Sequence, residues 1–133
     1  MNIPKVSVIV LIYKVEKYIE RCARSLFCQT MQDIEYVFVN DCTPDCSIQI
    51  LQSVIDEYPQ RKSDIKIISH EKNMGSGVAR NTGLEVADGE YIIYCDGDDW
   101  VDPEMYETLY MKAREDNADI VMCDYYEEKQ GKR

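Results

Sequence analysis

Short apolar runs alternate along the chain with amphipathic stretches, and the alternation predicts strands and helices in turn. Residues 6–13 form a nearly continuous β-branched run, the pattern of a strand buried on both faces. Residues 16–28 follow with Ile19, Cys22, Ala23, Leu26 and Phe27 at helical spacing. A strand is then predicted at 35–39, a helix at 47–58 with Ile48, Ile50, Leu51, Val54 and Ile55 inward, and a strand at 65–69. The remaining elements are a helix at 78–86, a strand at 91–95, a helix at 103–116 and a strand at 120–123. The charged stretch 127–133 reads as a frayed tail or the point where a larger domain is cut. There is no internal repeat. Strands alternating with helices specify an α/β fold, a mostly parallel sheet flanked by helices, with residues 1–126 as one domain.

That architecture says where a ligand goes. In open α/β sheets the site lies beyond the carboxyl ends of the strands, where the strand order reverses. The residues to inspect are therefore Tyr13 and Lys14, then Asn40, Asp41 and Cys42, then Asp96, Gly97, Asp98 and Asp99. An aromatic plane, a hydrogen-bonding carboxylate and an acidic cluster converge on one crevice. Together they are the parts that hold a nucleoside diphosphate.

The acidic run Tyr91-Ile-Ile-Tyr-Cys-Asp96-Gly-Asp98-Asp99-Trp100 has two readings. In one, the carboxylates bind Mn²⁺ or Mg²⁺, hard cations that take one or two carboxylates while substrate phosphates complete the shell. In the other, the run is an acidic turn before a helix capped by Asp102-Pro103. A calcium loop is the weakest reading: Asp96, Asp98, Trp100, Asp102, Glu104 and Glu107 fall near the ligand positions, but Val101 occupies the obligatory glycine and a strand precedes the run.

The segment Asn73-Met-Gly75-Ser-Gly77-Val-Ala-Arg80-Asn81-Thr-Gly83 is a second candidate phosphate contact. Its glycines allow close backbone approach, the following helix offers a positive N-terminus, and Arg80 offers a bidentate fork. It is not a Walker A loop, lacking Gly-Lys-Ser/Thr, nor a dinucleotide fingerprint, which belongs after the first strand.

Charge narrows the ligand classes. A net charge of -10 over 133 residues excludes a nucleic-acid surface, which needs clustered cations. No basic segment leads into a long apolar run, so the domain is expected to be cytoplasmic, with peripheral association at the inner face of a membrane left open. Six cysteines without paired C-x2-C spacing read as free thiols rather than a zinc site. The single histidine, His70, has no orienting partner visible in the sequence and is assigned a surface or packing role.

The ordered motifs resemble the GT-A glycosyltransferases of family 2. They are Val6-Ser-Val-Ile-Val-Leu-Ile-Tyr13 with Val15-Glu-Lys-Tyr-Ile19, Ser25-Leu-Phe-Cys-Gln29-Thr30, Val39-Asn-Asp41-Cys-Thr-Pro-Asp45-Cys-Ser47, Ala79-Arg80-Asn81-Thr-Gly83, and Gly89-Glu-Tyr-Ile with Asp96-Gly-Asp98-Asp99-Trp100. The resemblance spans about residues 4–126. It implies a Rossmann-like GT-A fold and inverting transfer from a nucleotide-diphospho-sugar, a UDP-sugar being favoured, to a saccharide or lipid-linked acceptor in polysaccharide biosynthesis. It further implies that Tyr13 stacks on the base, Asp41 binds it, Asp96 lies near the ribose or donor sugar, Asp98 ligates Mn²⁺ or Mg²⁺, and Arg80 approaches the pyrophosphate or braces the carboxylates.

Two departures stand out. The family's Pro-x-Tyr-Asn becomes Leu11-Ile12-Tyr13-Lys14, and its Asp-Asp-Gly-Ser becomes Asn40-Asp41-Cys42-Thr43, where cysteine adopts positive φ less readily than glycine. Lys14 reads as a solvated surface lysine. The resemblance also places the general base and the acceptor-binding strands beyond residue 133, so the catalytic residue is unknown here and the acceptor half is absent. The alternative is a noncatalytic nucleotide-sugar-binding module. The sheet edge such a half would cover is expected to favour homo-oligomers.

Overall fold

The computed structural model describes residues 3–116. Four parallel strands, β1 (Val6–Ile12), β2 (Ile34–Asn40), β3 (Ile65–Ser69) and β4 (Tyr91–Asp96), lie in the order β3-β2-β1-β4. Between and after them run α1 (Ile19–Phe27), α2 (Ser47–Asp56), α3 (Ser76–Val86) and α4 (Met105–Asp116), with a 3₁₀ helix at Pro59–Asp64 that the hydrophobic pattern does not announce. The predicted strand at 120–123, the boundary at 126 and the tail at 127–133 lie outside the described residues.

Residue parity along each strand sorts the core into two layers. Val6, Val8, Val10 and Ile12 of β1, Tyr36 and Phe38 of β2, and Tyr91, Ile93 and Cys95 of β4 pack with the buried faces of α1, α2 and α4. Ile9, Val37 and Val39 point the other way and meet Ala79 of α3. Burying each large apolar side chain contributes about 1.5–3 kcal/mol. β1 is central and almost wholly buried, whereas β4 alternates between buried and half-buried positions. The chain steps outward from β1 to β3 and then returns to pair β4 with β1. The strand order therefore reverses between β1 and β4, and α3, the connection across that reversal, covers the face opposite α1 and α2.

Local chemistry moves three predicted helix starts. α1 begins at Ile19 rather than 16, because the amides of Tyr18 and Ile19 both turn back onto the Val15 carbonyl. α3 begins at Ser76 rather than 78, entered through Gly75 at φ 95°. α4 begins at Met105 rather than 103, since the Asp102 carbonyl accepts from both the Met105 amide at 3.1 Å and Gln29 Nε2 at 2.7 Å. Arg61 of the 3₁₀ helix is buried against the end of α1, where its guanidinium donates to the carbonyls of Phe27, Gln29 and Met31. The Phe27 carbonyl is one that the end of α1 leaves unsatisfied, and those of Gln29 and Met31 belong to the loop that follows.

Candidate functional site

The connections leaving β1 and β2 are joined by Asp45. Its Oδ1 accepts from Thr43 Oγ1 at 2.7 Å, Ser47 Oγ at 2.7 Å and the Ser47 amide at 3.1 Å, and its Oδ2 accepts from the Glu16 amide at 3.3 Å. Thr43 Oγ1 and Ser47 Oγ in turn accept from the amides of Lys14 and Val15. Burial pushes the Asp45 carboxyl up, but these donors hold it below the usual carboxylate range. Two residues of these connections have left-handed backbone, Lys14 at φ 56° and Cys42 at φ 59°. These are the two positions at which the sequence departs from the family's Asn and Gly, residues that accept that conformation more readily.

Asp41, at the end of β2, is buried and carries four donors. Oδ1 accepts from the Met74 amide at 2.8 Å and lies 2.8 Å from His70 Nδ1; Oδ2 accepts from Asn73 Nδ2 and the Gly75 amide, both at 2.9 Å. Burial raises this carboxyl too, and His70 with the two backbone amides more than offsets it, so Asp41 is held below its ordinary range. Asp41 thus fastens the glycine-rich loop to the sheet. His70 is not a bland packing residue, which corrects the sequence assignment: its second nitrogen lies 2.8 Å from Thr82 Oγ1 of α3. Within the segment offered as a phosphate contact, the amides of Met74 and Gly75 donate to Asp41.

A cavity of about 210 Å³ opens above these residues, lined by Leu11, Ile12, Tyr13, Asp41, Asn73, Gly75, Ser76 and Ala79. Tyr13 is exposed at its mouth, with Lys14 Nζ 5.4 Å from the ring centroid. A Cβ built at Gly75 meets nothing within 4 Å, so the loop leaves open space beside the cavity. Tyr13 and Asp41 are therefore brought together as expected.

The acidic run ends β4 on the other side of β1, where Asp96 stands in register with Leu11. The Gly97 amide donates to the Leu11 carbonyl at 3.1 Å and the Asp99 amide to the Asp96 carbonyl at 3.0 Å, closing a tight turn. This turn gathers Asp96, Asp98 and Asp99, whose ligand oxygens lie within 4.8 Å of one another. The first two are exposed and Asp99 is half-buried. Three hard oxygen donors at that spacing suit Mn²⁺ or Mg²⁺. Ser25 and Gln29 of the Ser25–Thr30 motif tie α1 to the chain beyond this turn. Ser25 Oγ accepts from the Val101 amide, while buried Gln29 donates to the carbonyls of Ser25 and Asp102 and accepts from the Tyr106 amide. The end of α1 thereby sets the path of the chain that leaves the acidic turn.

Arg80 is on α3, its guanidinium carbon 5.4 Å from the ring centroid of Tyr94, two residues before Asp96. It does not line the cavity. Its Nε is buried and has no hydrogen-bond partner among the described residues.

A parallel sheet that reverses between β1 and β4, with a cavity and an acidic turn on either side of the β1 end, has the GT-A glycosyltransferase architecture. Residues 7–133 match the profile of Glycosyl transferase family 2, and the chain belongs to that family. It is 44% identical over 131 residues to EpsJ, an uncharacterized glycosyltransferase of Bacillus subtilis (strain 168), covering 98% of this chain and 37% of that one. Among solved structures, S. aureus TarS 1-349 in complex with UDP-GlcNAc aligns with a TM-score of 0.75 and 32% identity, over 84% of this chain and 31% of that chain. The mannosyltransferase PcManGT from Pyrobaculum calidifontis, in complex with GDP-Man and Mn²⁺, shares the fold with a TM-score of 0.67 and 24% identity, over 75% of this chain and 29% of that chain. The chain thus spans about a third of the length of the relatives it matches. Among the described residues, no helix is long and apolar enough to cross a membrane.

Proposed function

We propose that this chain is the donor-binding part of a metal-dependent, inverting glycosyltransferase that uses a nucleotide-diphospho-sugar, a UDP-sugar by preference. The observation that carries the reading is the pair of features flanking the end of β1: the Tyr13–Asp41 cavity on one side and the Asp96–Asp98–Asp99 turn on the other. A nucleoside in the first directs its diphosphate toward the second. The Tyr13 ring supplies a stacking surface for the base. Because all four acceptor positions of Asp41 are in use, entry of a base N–H there exchanges one loop donor for a ligand donor. Arg80 on α3 offers its guanidinium to the pyrophosphate or braces the site carboxylates. Asp98, assisted by Asp96 and Asp99, would hold Mn²⁺ or Mg²⁺, and a cation bound there neutralises the diphosphate as a leaving group.

The acceptor hydroxyl, on a saccharide or lipid-linked acceptor, requires a general base within hydrogen-bond reach, and the reading places that base beyond residue 133. The uridine preference is supported by the likeness to TarS, whose structure holds UDP-GlcNAc. Thermal melts with UDP and GDP, each with and without Mn²⁺, test it. A rise in Tm with UDP that depends on Mn²⁺ is the expected outcome, since a ligand that binds only the folded state stabilises it by mass action. No shift with either nucleotide contradicts the reading.

A further inference from the structure

His70 stands between two partners whose own bonding constrains its protons. Asp41, ionised and buried, only accepts, so the ring nitrogen 2.8 Å from it, Nδ1, must carry a hydrogen. On the other side, Thr82 Oγ1 is 2.8 Å from Nε2 and 3.0 Å from the Val78 carbonyl, which also only accepts. The hydroxyl therefore has two places for its single hydrogen. With Nε2 protonated, Thr82 donates to Val78 and accepts from the ring. With Nε2 bare, the hydroxyl turns and donates to it. Asp41 is the titratable group bonded to the ring, and α3 meets it with the neutral Thr82.

We propose that His70 is a positioning residue of the nucleotide cavity: it keeps an N–H on Asp41 in both of its ring states, with Thr82 absorbing the difference, and so fixes the carboxylate that carries the Met74–Gly75 wall. The tautomer follows from the bond at the other nitrogen, as is general for histidine. The effect on ligand rests on the donor reading above, whereas the tautomer does not.

Nitrogen-15 NMR of the chain, which holds one histidine, reads the ring directly. At high pH Nδ1 is expected to show an N–H-type shift and Nε2 a pyridine-type shift. A pyridine-type Nδ1 overturns the proposal. Titration with UDP and Mn²⁺ then reads the consequence. His70→Gln is expected to weaken binding by about tenfold, the loss of one net hydrogen bond to a charged group. His70→Asn, whose amide nitrogen falls near the Nδ1 position, is expected to restore most of it. Wild-type affinity in His70→Gln, or equal loss in both variants, contradicts a positioning role. If the wild-type chain takes up no UDP, the donor reading fails, and the NMR tautomer alone decides whether His70 holds Asp41.

Discussion

The amide of Gly97 donates to the carbonyl of Leu11 across 3.1 Å, so the acidic turn after β4 is pinned to the end of β1. A Cβ at position 97 would lie 2.8 Å from that carbonyl oxygen and 3.0 Å from Val15 Cγ2. Gly97→Val is therefore expected to destabilise the fold by roughly 1–3 kcal/mol, the usual range for overpacking a tight site, and to disperse the carboxylates. Urea unfolding measures the first effect. Unchanged stability would show that the turn has room the structure does not give it.

Gln29 makes three hydrogen bonds from a buried position between α1 and α4. Gln29→Ala leaves the Asp102 carbonyl and the Tyr106 amide without this partner, at a cost of about 1–3 kcal/mol. Gln29→Glu keeps the acceptor for Tyr106 and loses the donor to Asp102, so it is expected to be damaging as well. Chemical denaturation of the two variants checks both, and a neutral Gln29→Ala would contradict the assigned role.

Cys42 sits at φ 59°, where a side chain costs about 1–2 kcal/mol that glycine avoids. Glycine returns part of that gain through the entropy of the unfolded chain, about 0.5–1 kcal/mol. Cys42→Gly is thus expected to stabilise by about 0.5 kcal/mol, visible as a small rise in urea midpoint. Destabilisation would mean that the contact from Cys42 Sγ to the Glu71 carbonyl, at 3.5 Å, outweighs the backbone effect.

Acid should loosen the site. Asp41 and Asp45 are both held below their ordinary range in the fold, so within that window the unfolded chain binds more protons than the folded one. Their contribution is complete above the unfolded value of about 4 and is lost as pH falls through the lower folded values. Denaturation midpoints from about pH 6 to about pH 2.5 are expected to drop at the acid end. Midpoints that stay level there would contradict the burdened carboxylates described for both loops.

Much of this was legible in the chain. The β-branched run of β1, the helical spacing in α1 and the exact bounds of β3 follow from periodicity that nothing overrides. The convergence of Tyr13 and Asp41 on one cavity follows from strand ends in a parallel sheet. The role of His70 was not legible, because its partners Asp41 and Thr82 lie 29 and 12 residues away and meet it only after β2, β3 and α3 assemble. The same holds for Gln29, which reaches residues more than seventy positions on. Helix starts at 19, 76 and 105 were displaced by loop hydrogen bonds and by Gly75, none of which alters hydrophobic spacing. The Thr43, Asp45 and Ser47 triplet did carry a signal: short polar side chains two residues apart commonly bond the backbone ahead of a helix.

In the proposed donor site a divalent cation at Asp98 couples the acidic turn to a nucleotide in the Tyr13–Asp41 cavity. Calorimetric titration of UDP into the wild-type chain and into Asp98→Asn, each with and without Mn²⁺, tests it most directly. Mn²⁺ is expected to strengthen UDP binding in the wild type and to have no such effect in Asp98→Asn, a substitution at an exposed position. Equal Mn²⁺-dependent affinity in the two proteins would contradict it.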